Sequence, residues 1–170
     1  DWSSDVCSSD LFYRRITALG VGLPGQRVLD LGTGTGNVAR ALAKLGCEVT
    51  GIDISEEQIA TARRIAAADA LDIAFDVRPA ENTGLPAHSF DVITAAQSFL
   101  YFDVTRAIAE VKRLLAPGGR LMTCHLSWLP RKDIVARRTE ELILQHNPKW
   151  TAANLSGDVP PSYPRFQDRK

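Results

Sequence analysis

Short apolar runs alternate with amphipathic stretches along most of this chain. Runs of four to seven mostly apolar residues, bounded by glycine, proline or an acid, are typical of buried strands. Between them, apolar residues recur every three or four positions, as on one face of a helix. This alternation predicts an α/β fold, a doubly wound parallel sheet with helices on both faces. The predicted strands are 27–31, 48–53, 73–77, 91–96 and 121–124, and the predicted helices are 12–19, one after Gly36, 56–68, one after Asp103, and 133–146.

The first predicted strand ends in a glycine-rich turn. Asp30 is followed by Gly32, Gly34 and Gly36 at alternate positions, and an amphipathic helix starts at once. Glycines in this arrangement are needed where the backbone comes very close to a ligand. The positive end of the helix dipole points at the same place. The turn therefore predicts a ligand site beyond the carboxyl end of the first strand.

Two cofactors are compatible with this turn. Gly34-x-Gly36-x-x-Ala39, with Asp53 at the expected distance beyond it, satisfies the dinucleotide fingerprint and favours an NAD(P)-dependent oxidoreductase. Asp30 argues against that choice, because a carboxylate at the lip of the turn would repel a pyrophosphate. A cofactor that carries an ammonium and a sulfonium would be attracted by the same carboxylate.

The pattern Asp30-x-Gly32-x-Gly34-x-Gly36 resembles the first motif of the class I S-adenosylmethionine-dependent methyltransferases. The resemblance implies that S-adenosylmethionine is the cofactor, with Asp30 near its methionine ammonium and the glycine turn against its methionine part. It also implies that Asp53, at the end of the second strand, accepts bonds from both ribose hydroxyls. Its implied cofactor-binding residues in this part of the chain are Asp30, Gly32, Thr33, Gly34, Gly36, Asp53 and Ile54.

A second stretch carries the same resemblance. The order of acid, small residues, Leu85-Pro86 and a strand that begins near Phe90 resembles the family's adenine-binding loop, with Ala80 and Glu81 as the implied adenine neighbours. Gln97 follows the fourth strand and is implied to lie near methionine and acceptor. Leu100 and Tyr101 depart from the family, whose members often carry histidine and tryptophan in this segment. The resemblance runs from about residue 28 to 121 and names no catalytic base.

The expected reaction is in-line transfer of a methyl group to a small-molecule acceptor. Neither a Ser/His/Asp triad nor a metal-ligating cluster is visible in the sequence. The formal net charge of +0 gives no general electrostatic attraction to nucleic acid or to an anionic membrane. The three cysteines lack disulfide-like or metal-like spacing, which favours the cytoplasm. Besides the oxidoreductase, a catalytically silent cofactor-binding relative is an alternative.

Both ends of the chain look foreign to the protein. Residues 1–11 and 168–170 can be back-translated into an inverted pair of adapter-like DNA strings, so we set them apart from the fold; a disordered polar end is the alternative. We expect the cofactor-binding core at 12–125 and a helix with a tail, a candidate acceptor-side lid, at 126–167. The family would add two strands after the fifth, and no segment here is a candidate for them. We therefore expect an interior fragment of a longer gene.

Overall fold

A computed structural model describes residues 10–125 and 133–149 of the chain. The chain divides into two compact units, Asp1–Cys124 and His125–Lys170. The adapter-like stretches, the segment 126–132 and the tail from residue 150 lie outside the described residues, apart from the last two positions of the first stretch. No helix among the described residues is long and apolar enough to cross a bilayer.

The first unit is built on a five-stranded parallel sheet in the order β3-β2-β1-β4-β5. Strand β1 therefore lies at the centre, and its Asp30 pairs in register with Gly51 of β2 and Thr94 of β4. All five predicted strands are present, and the α/β prediction is confirmed. Their bounds are β1 Arg27–Leu31, β2 Glu48–Asp53, β3 Ala74–Val77, β4 Phe90–Ala96 and β5 Leu115–Cys124.

Helices cover both faces of this sheet, as the sequence predicts. Successive residues of β1 show this, since Val28 packs in one apolar cluster whereas Leu29 and Leu31 pack in the other. The Val28 cluster holds apolar residues of the first three helices, and the second cluster holds those of the fourth. These helices are α1 Asp10–Ala18, α2 Asn37–Lys44, α3 Glu56–Ala68 and α4 Val104–Leu114, and a short 3₁₀ helix, Phe99–Tyr101, precedes α4.

Strand β5 begins earlier than predicted. The sequence places a turn at 116–120, whereas the strand follows α4 directly at Leu115. Phe90 pairs with Leu115 and Val92 with Arg120, so residues 116–119 form a bulge opposite β4. Gly118, at φ 78, adopts a conformation that favours glycine within this bulge. The Pro-Gly-Gly segment thus interrupts the pairing within a strand, where the sequence suggested that it precedes one.

The second unit contains one described helix, α5 Ile134–His146. Asp133 caps it, since its carboxylate accepts a 2.7 Å hydrogen bond from the N–H of Ala136. The helix begins one residue later than predicted. The proposed role of 126–167 as a lid stays a prediction.

Candidate functional site

A cavity of about 440 Å³ lies beyond the carboxyl ends of the strands of the first unit. This is where ligands bind in open α/β sheets, and the volume falls in the range of small-molecule sites. Six of the ten predicted cofactor-binding residues line it: Gly32, Asp53, Ile54, Ala80, Glu81 and Gln97. The other lining residues are Arg78, Pro79, Ala96, Ser98, Tyr101 and Phe102. Asp30, Thr33, Gly34 and Gly36 are not among the lining residues.

Asp53 ties the end of β2 to the glycine turn. Its Oδ2 accepts a 2.9 Å hydrogen bond from the N–H of Gly34, and its Oδ1 accepts one of 2.9 Å from the N–H of Ser55. The sequence suggested that Ser55 would cap α3 alone and leave Asp53 free. Ser55 does cap α3, through the N–H of Gln58 at 3.3 Å, but Asp53 shares in the local hydrogen bonding. Each carboxylate oxygen still has a second acceptor site for a ligand.

Asp30 lies beneath the turn, whereas the sequence suggested that its carboxylate would lie at the edge of the turn, facing the ligand. The side chain is buried in the central strand, and its two oxygens accept hydrogen bonds of 2.6 Å from the hydroxyls of Thr33 and Thr94. Burial in a low dielectric raises the pKa of this carboxyl from 3.8 to about 6. Asp30 can therefore act on a ligand in the cavity through its electric field or through Thr33, but does not line the cavity itself.

The three glycines of the turn are small for different reasons. A Cβ on Gly32 would lie 2.4 Å from Cβ of Ser98, and one on Gly36 would lie 2.9 Å from the ring of Phe75. At these two positions the protein's own side chains leave no room for a Cβ, which is a reason for glycine that does not depend on a ligand. A Cβ on Gly34 would meet no protein atom within 4 Å. Gly34 is thus the position of the turn that faces open space.

The predicted adenine-binding loop forms one wall of the cavity, from Arg78 to Glu81. Ala80 is buried in the apolar cluster on the α4 side of the sheet. One carboxylate oxygen of Glu81 accepts a 2.9 Å hydrogen bond from the N–H of Asp103, the N-cap residue of α4. The structure therefore gives Glu81 a role in attaching the loop to α4, in addition to its place beside the cavity.

Sequence reasoning missed several residues that line the cavity, and Arg78 is the one among them that carries a charge. Its Nε donates a 2.6 Å hydrogen bond to Asp76, and its Nη1 donates one of 2.5 Å to the carbonyl oxygen of Thr83. Arg78 directly follows β3, so the rule that sites lie at carboxyl ends of strands could have identified it. Tyr101 and Phe102 belong to the segment after Gln97, in which Leu100 and Tyr101 depart from the family.

Gln97 occupies a strained position at the end of β4. Its φ of 62 is uncommon for a residue other than glycine, and its N–H donates a 2.9 Å hydrogen bond to the carbonyl oxygen of Cys124. Such conformations persist where the surrounding structure enforces them, and they cluster at ligand sites. The hydrogen bond to β5 helps to hold Gln97 in this conformation at the cavity wall.

The charges that line the cavity favour a cation or a neutral ligand over a polyanion. Asp53 and Glu81 are two carboxylates, and Asp30 lies buried below them. Arg78 is the single basic lining residue, and its guanidinium is paired with Asp76. A pyrophosphate would therefore meet two carboxylates and a partly neutralised guanidinium.

Comparison with known proteins agrees with this geometry. The profile described as "Methyltransferase domain" matches residues 29–123, more than half of the chain. The chain is 40% identical over 112 residues to the demethylmenaquinone methyltransferase of Thermus thermophilus, and the aligned region covers 64% of this chain and 51% of that protein. It is 33% identical over 132 residues to the ubiquinone biosynthesis O-methyltransferase of Alkalilimnicola ehrlichii, which covers 76% and 53%. The chain thus spans about half the length of the curated relatives it matches.

Solved structures show the same relationship. An S-adenosylmethionine-dependent methyltransferase from Mesorhizobium loti superposes with a TM-score of 0.59 at 30% identity, covering 68% of this chain and 54% of that one. The PH0226 protein from Pyrococcus horikoshii superposes with a TM-score of 0.58 at 29% identity, covering 69% and 59%. Together with the glycine turn and the carboxyl-end cavity, these matches show that the chain belongs to the methyltransferase domain family, as a member of the class I S-adenosylmethionine-dependent methyltransferases.

Proposed function

We propose that this protein binds S-adenosylmethionine in the cavity at the carboxyl ends of the strands and transfers its methyl group to a small-molecule acceptor. The observation that carries the proposal is the junction between Asp53 and the N–H of Gly34, which places a carboxylate in the cavity wall beside the open position of the glycine turn. Family membership supports the same cofactor.

The residues present fit this cofactor. Asp53 offers acceptor sites to two ribose hydroxyls, and Gly34 leaves space for a close approach by the methionine part. Ile54, with 78% of its surface exposed, offers an apolar surface to the adenine beside the backbone of Ala80. Asp30 adds a negative field beneath the turn. In this proposal Glu81 borders the adenine, Thr33 and Gly36 support the turn, and Gln97 lies between methionine and acceptor.

Positioning is the protein's main contribution. When bound, S-adenosylmethionine supplies a methyl group already activated by its sulfonium sulfur, so the protein does not need to generate a strong electrophile. The cavity residues hold the reactants in line and exclude water, which is sufficient for large rate enhancement. We propose no general base.

The acceptor that we propose is a small apolar compound. Tyr101 lies at the cavity with 87% of its surface exposed, next to Phe102, so an apolar ring can pack there without displacing core residues. The two relatives described above are named for demethylmenaquinone and for ubiquinone biosynthesis, which makes intermediates of quinone biosynthesis the first acceptors to assay. The balanced charge supports a small acceptor rather than a nucleic acid, and the cysteine spacing supports a cytoplasmic location.

Calorimetric titration with S-adenosylmethionine, S-adenosylhomocysteine and NADH tests the cofactor. We expect binding of the first two and none of NADH. Asp30→Asn should weaken binding of S-adenosylmethionine, because it removes a negative field from beneath a cationic ligand. Stronger NADH binding by this variant would overturn the assignment. Methyl transfer to the proposed acceptors then separates an enzyme from a silent binder.

A further inference from the structure

A long loop supplies one wall of the cavity, yet it contains no regular secondary structure. It joins β3 to β4 over residues 78–89, and only its first four residues line the cavity. A loop of this length needs anchors to hold its cavity-lining part in one position. Among the described residues, the N–H of Arg78 donates a 2.9 Å hydrogen bond to the carbonyl oxygen of Asp53, and two side-chain anchors join the loop to helix α4.

The stronger anchor is a buried pair between the loop and the middle of α4. Thr83 is 1% exposed, and both its N–H and its hydroxyl donate to the same carboxylate oxygen of Glu110, at 2.9 and 2.6 Å. Glu110 is itself 8% exposed. Neither residue lines the cavity.

Arg113 keeps this carboxylate ionised. Its Nε and Nη2 donate to the two oxygens of Glu110 at 2.8 and 2.7 Å. These bonds, and those from Thr83, hold the pKa of Glu110 at about 2. Hydrogen bonds to a charged acceptor are roughly twice as strong as neutral ones, so the anchor is charge-assisted at every working pH.

Thr83 is also hydrogen-bonded to a residue that lines the cavity. Its carbonyl oxygen accepts the 2.5 Å hydrogen bond from Nη1 of Arg78, a lining residue. The second anchor, from Glu81 to the N–H of Asp103, fixes the same wall at the start of α4. Glu110 therefore acts on the cavity through Thr83 and Arg78.

Helix α4 is a firm support for the loop. Val111 and Leu114 are buried in the cluster that also contains Ala80 of the cavity wall. The polar anchors and the apolar packing thus act between the same two segments. Removing one acceptor would leave the buried donors of Thr83 unpaired, which favours a rearranged loop over a merely weakened one.

We propose that Glu110 is a positioning residue for the cofactor site, which holds the wall from Arg78 to Glu81 in its binding position through Thr83. This rests on the proposed function in one respect, namely that S-adenosylmethionine or its product occupies this cavity. Glu110 makes no contact with the ligand in this proposal.

The test compares variants of the full 170-residue chain. Glu110→Gln removes the charge and Thr83→Val removes the hydroxyl, while Thr83→Ser retains it. Asp91→Asn is a control with the same kinds of partner, because Asp91 also accepts from both an arginine fork and a backbone N–H, those of Arg27. Asp91 lies at the amino end of β4 and is more exposed than Glu110. Calorimetric titration with S-adenosylhomocysteine is run at a temperature at which circular dichroism shows every variant folded.

We expect the dissociation constant to rise on the order of tenfold for Glu110→Gln and for Thr83→Val, since a displaced wall misplaces its contacts. The dissociation constants of Thr83→Ser and Asp91→Asn should stay within about twofold of the wild-type value, because the first substitution is conservative and the second is at the surface. Equal losses in Glu110→Gln and Asp91→Asn would show a general structural role and overturn the proposal.

Hydrogen–deuterium exchange of residues 78–86 gives a readout that needs no ligand. Exchange should be faster there in Glu110→Gln and Thr83→Val than in Asp91→Asn; unchanged exchange overturns the proposal. If the wild type binds neither S-adenosylmethionine nor S-adenosylhomocysteine, the proposed function fails, and exchange alone then decides whether Glu110 holds the loop.

Discussion

Asp53 shows how much one carboxylate does at the residue scale. It accepts hydrogen bonds from the N–H groups of Gly34 and Ser55, so it connects the glycine turn, the end of β2 and the start of α3. The ribose role that we propose uses the remaining acceptor sites of the same two oxygens. Structural and binding roles therefore coincide in one side chain, and a substitution has to separate them.

Asp53→Ala should weaken S-adenosylmethionine binding by about 2–3 kcal/mol, because two hydroxyls lose a charged acceptor. Asp53→Asn keeps one acceptor oxygen for the backbone and should weaken binding less. Calorimetric titration measures both, with urea unfolding as the check on stability. Wild-type affinity in the alanine variant would exclude the ribose assignment.

Asp30 makes stability depend on pH. Its pKa is raised from 3.8 to about 6 by burial, so the folded state binds the proton more tightly than the unfolded state. This contribution is fully present at low pH and is lost as pH rises through about 6, a loss of roughly 3 kcal/mol for a shift of this size.

Asp30→Asn does not titrate, so the difference in unfolding free energy between variant and wild type isolates Asp30. As the pH rises from about 4 to about 7, the unfolding free energy of the wild type should fall relative to that of the variant. Urea unfolding at several pH values measures it. A difference that is flat, or that moves in favour of the wild type, would contradict the buried, desolvated position of Asp30.

At the scale of elements, the three glycines of the turn have different surroundings. Gly32 packs on Ser98 after β4, Gly36 begins α2 against Phe75 of β3, and Gly34 alone faces open space. All three have positive φ. The turn is therefore packed against one side chain of β3 and one from the segment after β4, and its middle position faces open space.

Gly34→Ala and Gly36→Ala form a matched pair. Both should lose about 1–2 kcal/mol of stability for a side chain at positive φ. Gly36→Ala should lose a further 1–3 kcal/mol, roughly, because its Cβ crowds the ring of Phe75. Urea unfolding compares the two.

Gly34→Ala should nevertheless bind S-adenosylmethionine much more weakly than the wild type, since the new methyl group occupies space that we assign to the ligand. Calorimetric titration of the folded variant measures this. Unchanged affinity would show that the ligand does not approach the turn at Gly34.

For the whole molecule, the order of the strands leaves β5 at one edge of the sheet. Within the described residues, β5 pairs with β4 alone. Edge strands in general offer backbone N–H and C=O groups for pairing with another molecule. The carboxyl-terminal part of β5, residues 121–124, contains neither a proline nor a charged residue that would prevent such pairing.

We expect the 170-residue chain to self-associate through this edge. Size-exclusion chromatography with light scattering at several concentrations measures the association. Thr123→Lys places a charge at an exposed position of β5 and should reduce it. A wild-type chain that stays monomeric at every concentration would show that the edge is covered.

The sequence by itself determined the elements and the place of the site. Hydrophobic periodicity is a local property, so the strands and helices followed from it, with the caps Ser55 and Asp103 at the starts of two helices. Parallel strands bring their carboxyl ends to one edge, which predicted the place of the cavity and of Gln97. The resemblance to the methyltransferases implied Asp53, Ala80 and Glu81, and these residues line the same cavity.

Only the tertiary structure decided how these residues are used. Asp30 is buried because β1 is the central strand, and its partner Thr94 lies 64 positions away. The contacts of Gly32 with Ser98 and of Glu110 with Thr83 likewise join segments far apart in sequence. Such pairs depend on strand order and helix packing, which local pattern does not encode. The bulge of β5 has the same cause, since its register is set by pairing with β4.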